Sequence, residues 1–308
     1  MKPLLSICIP TYNREPLLKE CLNSLVQQFT DLNIYHKTEI IISDNNSPDN
    51  TQKLVYAFQK KYKNIVYHKR TKTVQADYNI IHSASYASGF YLWFFSDDDL
   101  HYPYSLSTII KITENHHPDA IICNLDLYSK NGRKIIDRNL LRLNKDLKVK
   151  TKKELFSFLE SKFFTPLDWY YTCISNTIVS RKIYRDNLKK VMKLYDPHSN
   201  NFLHSGLIYY NYCDYFIYFL QESLGKFRTD NRLFGPDEKT HQAEYLLFLY
   251  TILKRHNDLV YQYNKLSMSL KFKLLLFLKN TSREVRRILV KKTGYDISEL
   301  LLKLFPHA

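Results

Sequence analysis

The chain has 308 residues and sets 45 Lys and Arg against 30 Asp and Glu, a net charge of +15. Its 44% apolar content, 24% charged content, 6 Gly and 10 Pro exclude the disordered, collagen-like and low-complexity classes. So basic a chain points to an anionic partner, whether nucleic acid, a phospholipid surface or a phosphorylated substrate. The first predicted strand is Leu4 to Ile9, closed by Pro10. Leu17, Leu18, Leu22, Leu25 and Val26 then mark one face of a helix over Glu15 to Gln28. Glu39 to Ser43 reads as a continuous apolar strand, and Ser47 to Thr51 supplies the cap and first turn of a helix that runs to Lys61. Ile65 to His68 is a third strand and Asp77 to Ala87 a helix ended by Gly89. Phe90 to Phe95, the most apolar strand, then delivers Asp97, Asp98 and Asp99.

Strands alternating with amphipathic helices predict βαβ units and an α/β fold with a mostly parallel sheet. Beyond Leu100 the pattern gives a helix near Ser105 to Asn115, a strand at Ala120 to Cys123 and a basic, irregular stretch from Arg133 to Lys153. The remainder reads as chiefly helical apart from a β-rich run at Thr172 to Ser180. Between Lys265 and Lys292 nine basic residues face one acid and interleave with Leu274 to Leu278 and Ile288 to Val290, the composition of basic amphipathic interfacial helices. A solvated helical face or a dimer interface has the same composition. Five widely spaced cysteines, Cys8, Cys21, Cys123, Cys173 and Cys213, form no C-x-x-C pair, so the chain is expected in a reducing cytoplasm without disulfide framework or zinc site. No stretch reaches the ~18 apolar residues of a membrane span, and no standard export signal is expected. The 45 aromatic residues, 25 of them Tyr, suit surfaces that stack on sugars or bases.

Open α/β sheets bind ligands at the C-terminal ends of their strands, where Asp97, Asp98 and Asp99 fall. Three carboxylates in one turn repel one another unless a cation joins them, and hard oxygen ligands select Mg²⁺ or Mn²⁺ held partly by substrate phosphates. A solvated acidic turn is the plainer alternative. Two earlier strands also end in polar loops, Pro10 to Arg14 and Ser43 to Ser47, which the fold would bring to the same edge.

Four motifs carry a family resemblance: Ser6 to Arg14, Glu39 to Asp49, Asp77 to Ile80 and Gly89 to Asp99. In order and spacing over residues 4–125 they resemble the inverting family 2 glycosyltransferases of the GT-A fold, in the form typical of the abequosyltransferase-like subgroup that builds bacterial surface polysaccharides. The resemblance implies a GT-A domain over 1–235, with a nucleotide-binding half at 1–125 and an acceptor-binding half at 126–235. A basic helical C-terminal region would occupy 236–308, and the stretch from His241 to Ala308 has 12 basic and 5 acidic residues, a charge of +7.

The same resemblance implies transfer of a sugar from a nucleotide diphosphate, by family frequency UDP, to a glycan or polyprenyl-diphosphate-linked acceptor. Pro10, Thr11 and Tyr12 would line the base, with Asp44 and Asn46 on the neighbouring loop and Asn13 or Arg14 near ribose or phosphate. Asp77 and Asn79 would face ribose or donor sugar, or merely cap a helix. Asp97 and Asp99 match the metal-binding pair, with Asp98 beside them and Mn²⁺ or Mg²⁺ as the cofactor. Ser96 stands where the commoner pattern has its first acid. The general base would be His204 or Asp196, with Asp168 and Asp214 as further candidates. Arg228 or Lys226 would meet the diphosphate. The expected location is peripheral, on the inner face of a bacterial inner membrane, with a homodimer possible in principle. No recognised nucleic-acid motif appears, so nucleic-acid binding is the alternative the charge alone suggests, and an inactive scaffold of the same fold is the other.

Overall fold

In a computed structural model, which describes residues 2–129, 134–151, 154–155, 158, 173–193, 203–209 and 215–228, the first apolar run becomes β1 (Leu5–Thr11) at the centre of a parallel array. It pairs in parallel with β2 (Thr38–Asp44) on one side and β4 (Tyr91–Phe94) on the other, and β2 pairs with β3 (Ile65–Lys69). Both faces of these strands are covered, which is why they read as continuous rather than alternating apolar runs. Leu5, Ile7, Ile9, Trp93 and Phe95 join one core with Leu18, Leu22 and Leu25 of α1 (Glu15–Val26). Cys8, Ile41, Leu92 and Phe94, turned the other way by the pleat, are equally buried. Gly89 is required where the chain enters β4. A Cβ there would lie 2.5 Å from Ser6 Oγ and 2.9 Å from Ser6 N, and the glycine N–H instead donates to Ser6 Oγ at 2.8 Å.

Connecting helices follow the predicted order with one addition. A short α2 (Leu32–Lys37), capped by Asp31 accepting from the N–H groups of Asn33 and Ile34, precedes β2. α3 (Thr51–Lys61) leads to β3, and α4 (Ala76–Ser83) precedes β4. The two-residue β5 (Leu100–His101), α5 (Ser105–His116) and β6 (Ala120–Tyr128) follow. The stretch expected to be irregular contains β7 (Ile135–Asp137) and β8 (Leu147–Val149). After residue 173 come β9 (Thr177–Ser180), α6 (Arg181–Met192), α7 (Leu203–Tyr209) and β10 (Ile217–Arg228).

The sheet order is β3-β2-β1-β4-β9-β6-β10-β5, with β7 on β6 and β8 on β10. The expectation of a mostly parallel sheet needs amending. β9 inserts antiparallel between β4 and β6, and β5, β7 and β8 also pair antiparallel, so the array is parallel in its first half and mixed in its second. Because β9 opposes both neighbours, β6 still runs the same way as β4. The C-terminal ends of β1, β2, β4 and β6 therefore share one edge.

By internal contacts the chain divides into one unit of Met1–Leu155, Tyr170–Pro197 and Phe202–Asn231 and another of Phe156–Trp169, His198–Asn201 and Arg232–Ala308. The region 236–308 expected to be basic and helical lies outside the described residues, as do Asp168, Asp196 and Asp214. Among the described residues no helix is long and apolar enough to cross a membrane.

Candidate active site

At the shared edge, two loops are laced together before any acid arrives. Asn45 N–H donates to Thr11 O at 2.9 Å, Asn13 N–H to Ser47 Oγ at 2.9 Å, and Glu15 N–H to Asp49 Oδ2 at 2.9 Å. Asn13 and Asn46 take left-handed backbone, with φ of 54° and 68°, a conformation asparagine tolerates better than most side chains. Thr11 and Asp44 are register partners at the ends of β1 and β2. Asp44 is fully buried, its Oδ1 accepting from the N–H and hydroxyl of Ser47 and its Oδ2 from the Tyr67 hydroxyl at 2.6 Å. Tyr12, by contrast, is 36% exposed.

β4 ends against this pair of loops, and all six oxygens of the three acids accept from the protein. Asp97 Oδ2 takes the Thr11 hydroxyl at 2.6 Å, and Asp97 Oδ1 takes Arg14 Nη1 at 3.0 Å. The same Nη1 lies 3.1 Å from Asp98 Oδ2, while the Ser96 hydroxyl donates to Asp98 Oδ1. Asp99 Oδ2 accepts from Ser175, and its Oδ1 from the Arg228 backbone N–H at 3.0 Å. Ser175 Oγ also accepts from Ser96 N–H at 3.0 Å, so the turn leading into β9 and the acidic turn hold each other. All three acids are buried. Burial first and then the charge of Asp98 push Asp97 up to about 6, against the pull of Arg14 and Thr11; the same two causes raise Asp99 well above the carboxylate range.

This is a hard-oxygen donor set, which suits a divalent cation. Among the described residues no three His, Cys, Asp or Glu side chains already stand in ligating array. A magnesium-type ion held by one or two carboxylates and completed by substrate phosphates needs no such array, so Asp97 and Asp99 fit it.

The family model for glycosyl transferase family 2 matches residues 6–188, more than half of the chain, including the ends of β1, β2 and β4 and the three acids. The chain belongs to glycosyl transferase family 2. Among curated relatives of this family 2 member, the abequosyltransferase RfbV of Salmonella typhimurium is 37% identical over 123 residues, 39% of this chain and 35% of that protein. The GalNAc(5)-diNAcBac-PP-undecaprenol β-1,3-glucosyltransferase of Campylobacter jejuni is 31% identical over 165 residues, 53% of this chain and 51% of its own. The chain thus matches about half or less of these relatives' length. In fold it is similar to residues 1–349 of Staphylococcus aureus TarS, solved with UDP-GlcNAc, at TM-score 0.60 and 16% identity over 98% of this chain and 89% of that one. It is also similar to the mannosyltransferase PcManGT of Pyrobaculum calidifontis, solved with GDP-Man and Mn²⁺, at TM-score 0.53 and 13% identity over 99% and 86%. The GT-A fold expected from the motifs is the fold of this family 2 chain.

The remaining expected residues spread outward from the acids. Asn79 is buried on α4, its Oδ1 accepting from Ser43 Oγ at 2.8 Å and Arg70 Nε at 2.9 Å and its Nδ2 donating to Ser43 O at 2.9 Å. It ties α4 to the end of β2. Asp77, in the first turn of α4, is also buried. His204 stands in the first turn of α7, 4% exposed, its ring centroid 6.4 Å from that of Phe94. Arg228 holds Asp99 through its backbone, while its guanidinium is buried on Glu20. Lys226 sits over the Tyr128 ring at 4.5 Å and the Tyr102 ring at 5.8 Å. Ser175 and Glu20 were not anticipated. A serine within a β-rich run and an exposed glutamate on a helix give no signal until the chain around β9 and β10 folds against the acids.

Proposed function

We propose that this family 2 chain is a metal-dependent, inverting glycosyltransferase, moving a sugar from a nucleotide diphosphate to a hydroxyl of a lipid-linked or growing surface glycan. The observation that carries this reading is the convergence of Asp97, Asp98 and Asp99 with the Pro10 to Arg14 and Asp44 to Ser47 loops on one sheet edge. The names of the relatives support the glycan setting, and the UDP-GlcNAc complex of TarS supports a UDP donor.

In this reading the exposed Tyr12 ring, beside Pro10 and Thr11, offers a face to the base. Asp44 Oδ2, which accepts from the Tyr67 hydroxyl, keeps a second lone pair that can accept a base N–H, with Asn46 alongside. Asn13, Asp77 and Asn79 border ribose and sugar, and Arg14 and Arg228 supply positive charge toward the diphosphate. Asp97 and Asp99 would hold Mn²⁺ or Mg²⁺, which when bound neutralises the leaving diphosphate. The acceptor oxygen attacks the anomeric carbon as its bond to the diphosphate oxygen breaks, and the hydroxyl proton passes to a base, His204 or Asp196. The basic C-terminal region, as an anchor on an anionic membrane, would bring the enzyme to a polyprenyl-diphosphate-linked acceptor at the inner face of the membrane; a dimer contact is the competing use of the same residues.

The test is thermal stability of the purified chain with UDP, GDP, CDP or dTDP, each with Mn²⁺, Mg²⁺ or EDTA, followed by transfer assays. Ligand at a hundred times its dissociation constant adds about 2.7 kcal/mol. One nucleotide giving a metal-dependent rise, lost with transfer in folded Asp97→Asn and Asp99→Asn proteins, is expected. Full turnover by Asp99→Asn would refute its metal role.

A further inference from the structure

We infer that the rings of Tyr102 and Tyr104, with the Lys226 ammonium beside them, form the subsite that receives a sugar of the acceptor glycan. This deepens the glycosyltransferase reading above and rests on it, adding which part of the edge meets the acceptor.

The cluster stands on the second half of the sheet, next to the acids and apart from the loops that follow β1 and β2. Lys226 precedes Arg228, whose N–H holds Asp99, by two strand residues, or roughly 7 Å along β10. Tyr102 follows Asp99 directly across the short β5. There the two backbones run unusually close: Gly225 is in register with His101, and a Cβ on it would lie 2.6 Å from Leu100 O. Tyr102 N–H then donates to Leu224 O at 2.9 Å, which sets its ring beside Lys226.

Both rings are pinned by their hydroxyls. Tyr102 donates to Asp126 Oδ2 at 2.8 Å, and Tyr104 to Ser223 O at 3.0 Å. Asp126 is buried and also accepts from Ser223 Oγ at 2.6 Å and Asn139 N–H at 3.1 Å, so it anchors the pair to β6 and β10. The rings lie within 11° of parallel, centroids 5.6 Å apart. Tyr104 still stays 41% exposed, and with its hydroxyl bonded and one side toward Tyr102, what it shows to solvent is ring. Lys226 supplies the polar half. Its ammonium sits 4.5 Å from the Tyr128 ring centroid and 5.8 Å from that of Tyr102. Among the described residues it makes no hydrogen bond and no ion pair, although Asp126 is its register partner. A pyranose has a face of C–H bonds and a rim of hydroxyls, which match an open aromatic ring and an ammonium with protons to donate. Rings already fixed lose little freedom when the sugar arrives.

The experiment is saturation-transfer NMR on the full chain with UDP and Mg²⁺. The probes are the methyl glycosides of glucose, galactose, N-acetylglucosamine, N-acetylgalactosamine, mannose and rhamnose. At least one should take saturation from aromatic protons, most strongly on the hydrogens of one ring face. Tyr104→Ala and Lys226→Met should each weaken its binding about tenfold, whereas Tyr104→Phe, which keeps the ring, should bind as wild type does. Tyr104→Ala should keep the Mg²⁺-dependent rise in melting temperature with UDP, which marks it as folded and separates the acceptor side from the donor side. Undiminished binding by Tyr104→Ala, or by Lys226→Met if the alanine protein does not fold, overturns the subsite. So does a wild type that responds to UDP and saturates none of the glycosides; both results leave the metal and nucleotide site standing. No metal-dependent response of wild type to UDP, GDP, CDP or dTDP overturns the glycosyltransferase reading and the subsite with it.

Discussion

Burial acts in opposite senses on two titratable groups that follow β4. His101 is buried, stacked on Phe95 at 3.7 Å and edge-on to Trp93 at 4.7 Å, with Nδ1 3.1 Å from Ser105 Oγ. Burial pushes its imidazole well below 6.5. The unfolded chain therefore takes up a proton that the folded chain refuses, and stability is lost as pH falls below about 6.5. Asp97 works the other way. Its folded carboxyl, raised from 3.8 to about 6, holds a proton over a range where the unfolded one does not, so its contribution grows as pH falls through that window. The two partly cancel in wild type, and a His101→Phe protein should separate them. Its stability relative to wild type should improve steadily as pH drops from 7 toward 5 in urea melts. A constant difference across that range would mean His101 is not the group excluded from protonation.

Between elements, the candidate base depends on a helix pair. α6 carries the buried Asn187, whose Nδ2 donates to Leu207 O at 2.8 Å and to Tyr215 Oη at 3.2 Å, which ties α7 to α6. Leu207 lies one turn from His204, so this bond helps set where the imidazole stands. Asn187→Ala leaves a buried carbonyl without this donor, at a cost of about 1 to 3 kcal/mol. The expected result is lower melting temperature and faster amide exchange in residues 203–209, with β1 to β4 protected as before. Uniform loss of protection across the sheet would argue that Asn187 supports the whole fold rather than α7.

At the scale of the molecule, charge and redox chemistry set the setting for catalysis. The four described cysteines, Cys8, Cys21, Cys123 and Cys173, are all buried thiols. Burial raises the thiols of Cys8, Cys21 and Cys123, with the nearby acids adding to the effect at Cys21. Such thiols are poor nucleophiles in the native state. The net charge of +15 is the global property tied to the proposed membrane role. Each basic residue close to an anionic bilayer contributes about 1 kcal/mol, screened by salt. The intact chain should sediment with vesicles containing anionic lipid at low ionic strength, release as salt rises, and ignore vesicles of neutral lipid. Equal binding to both would point to apolar insertion or to no electrostatic anchor at all.

Periodicity alone located β1 to β4 and the helices α1, α3 and α4 between them, because each is locally consistent and buried on a regular face, whereas the short α2 was not legible. Motif order alone identified the family and brought Thr11, Arg14, Asp97, Asp98 and Asp99 into one hypothesis. What the chain could not announce locally is what exists only by long-range pairing. β5, β7 and β8 have two or three residues each and little apolar pattern, and they are strands because β6 and β10 lie beside them. The antiparallel direction of β9 follows from the path taken by residues far from it in sequence. Ser175 and Glu20 matter only because that path sets them on Asp99 and Arg228, 76 and 208 residues away. The sequence by itself determined the residue types that make the acidic edge, since their chemistry is local. Only the tertiary structure decided that a guanidinium, three hydroxyls and one backbone N–H close over the carboxylates, since hydrogen-bond partners are chosen by distance in space.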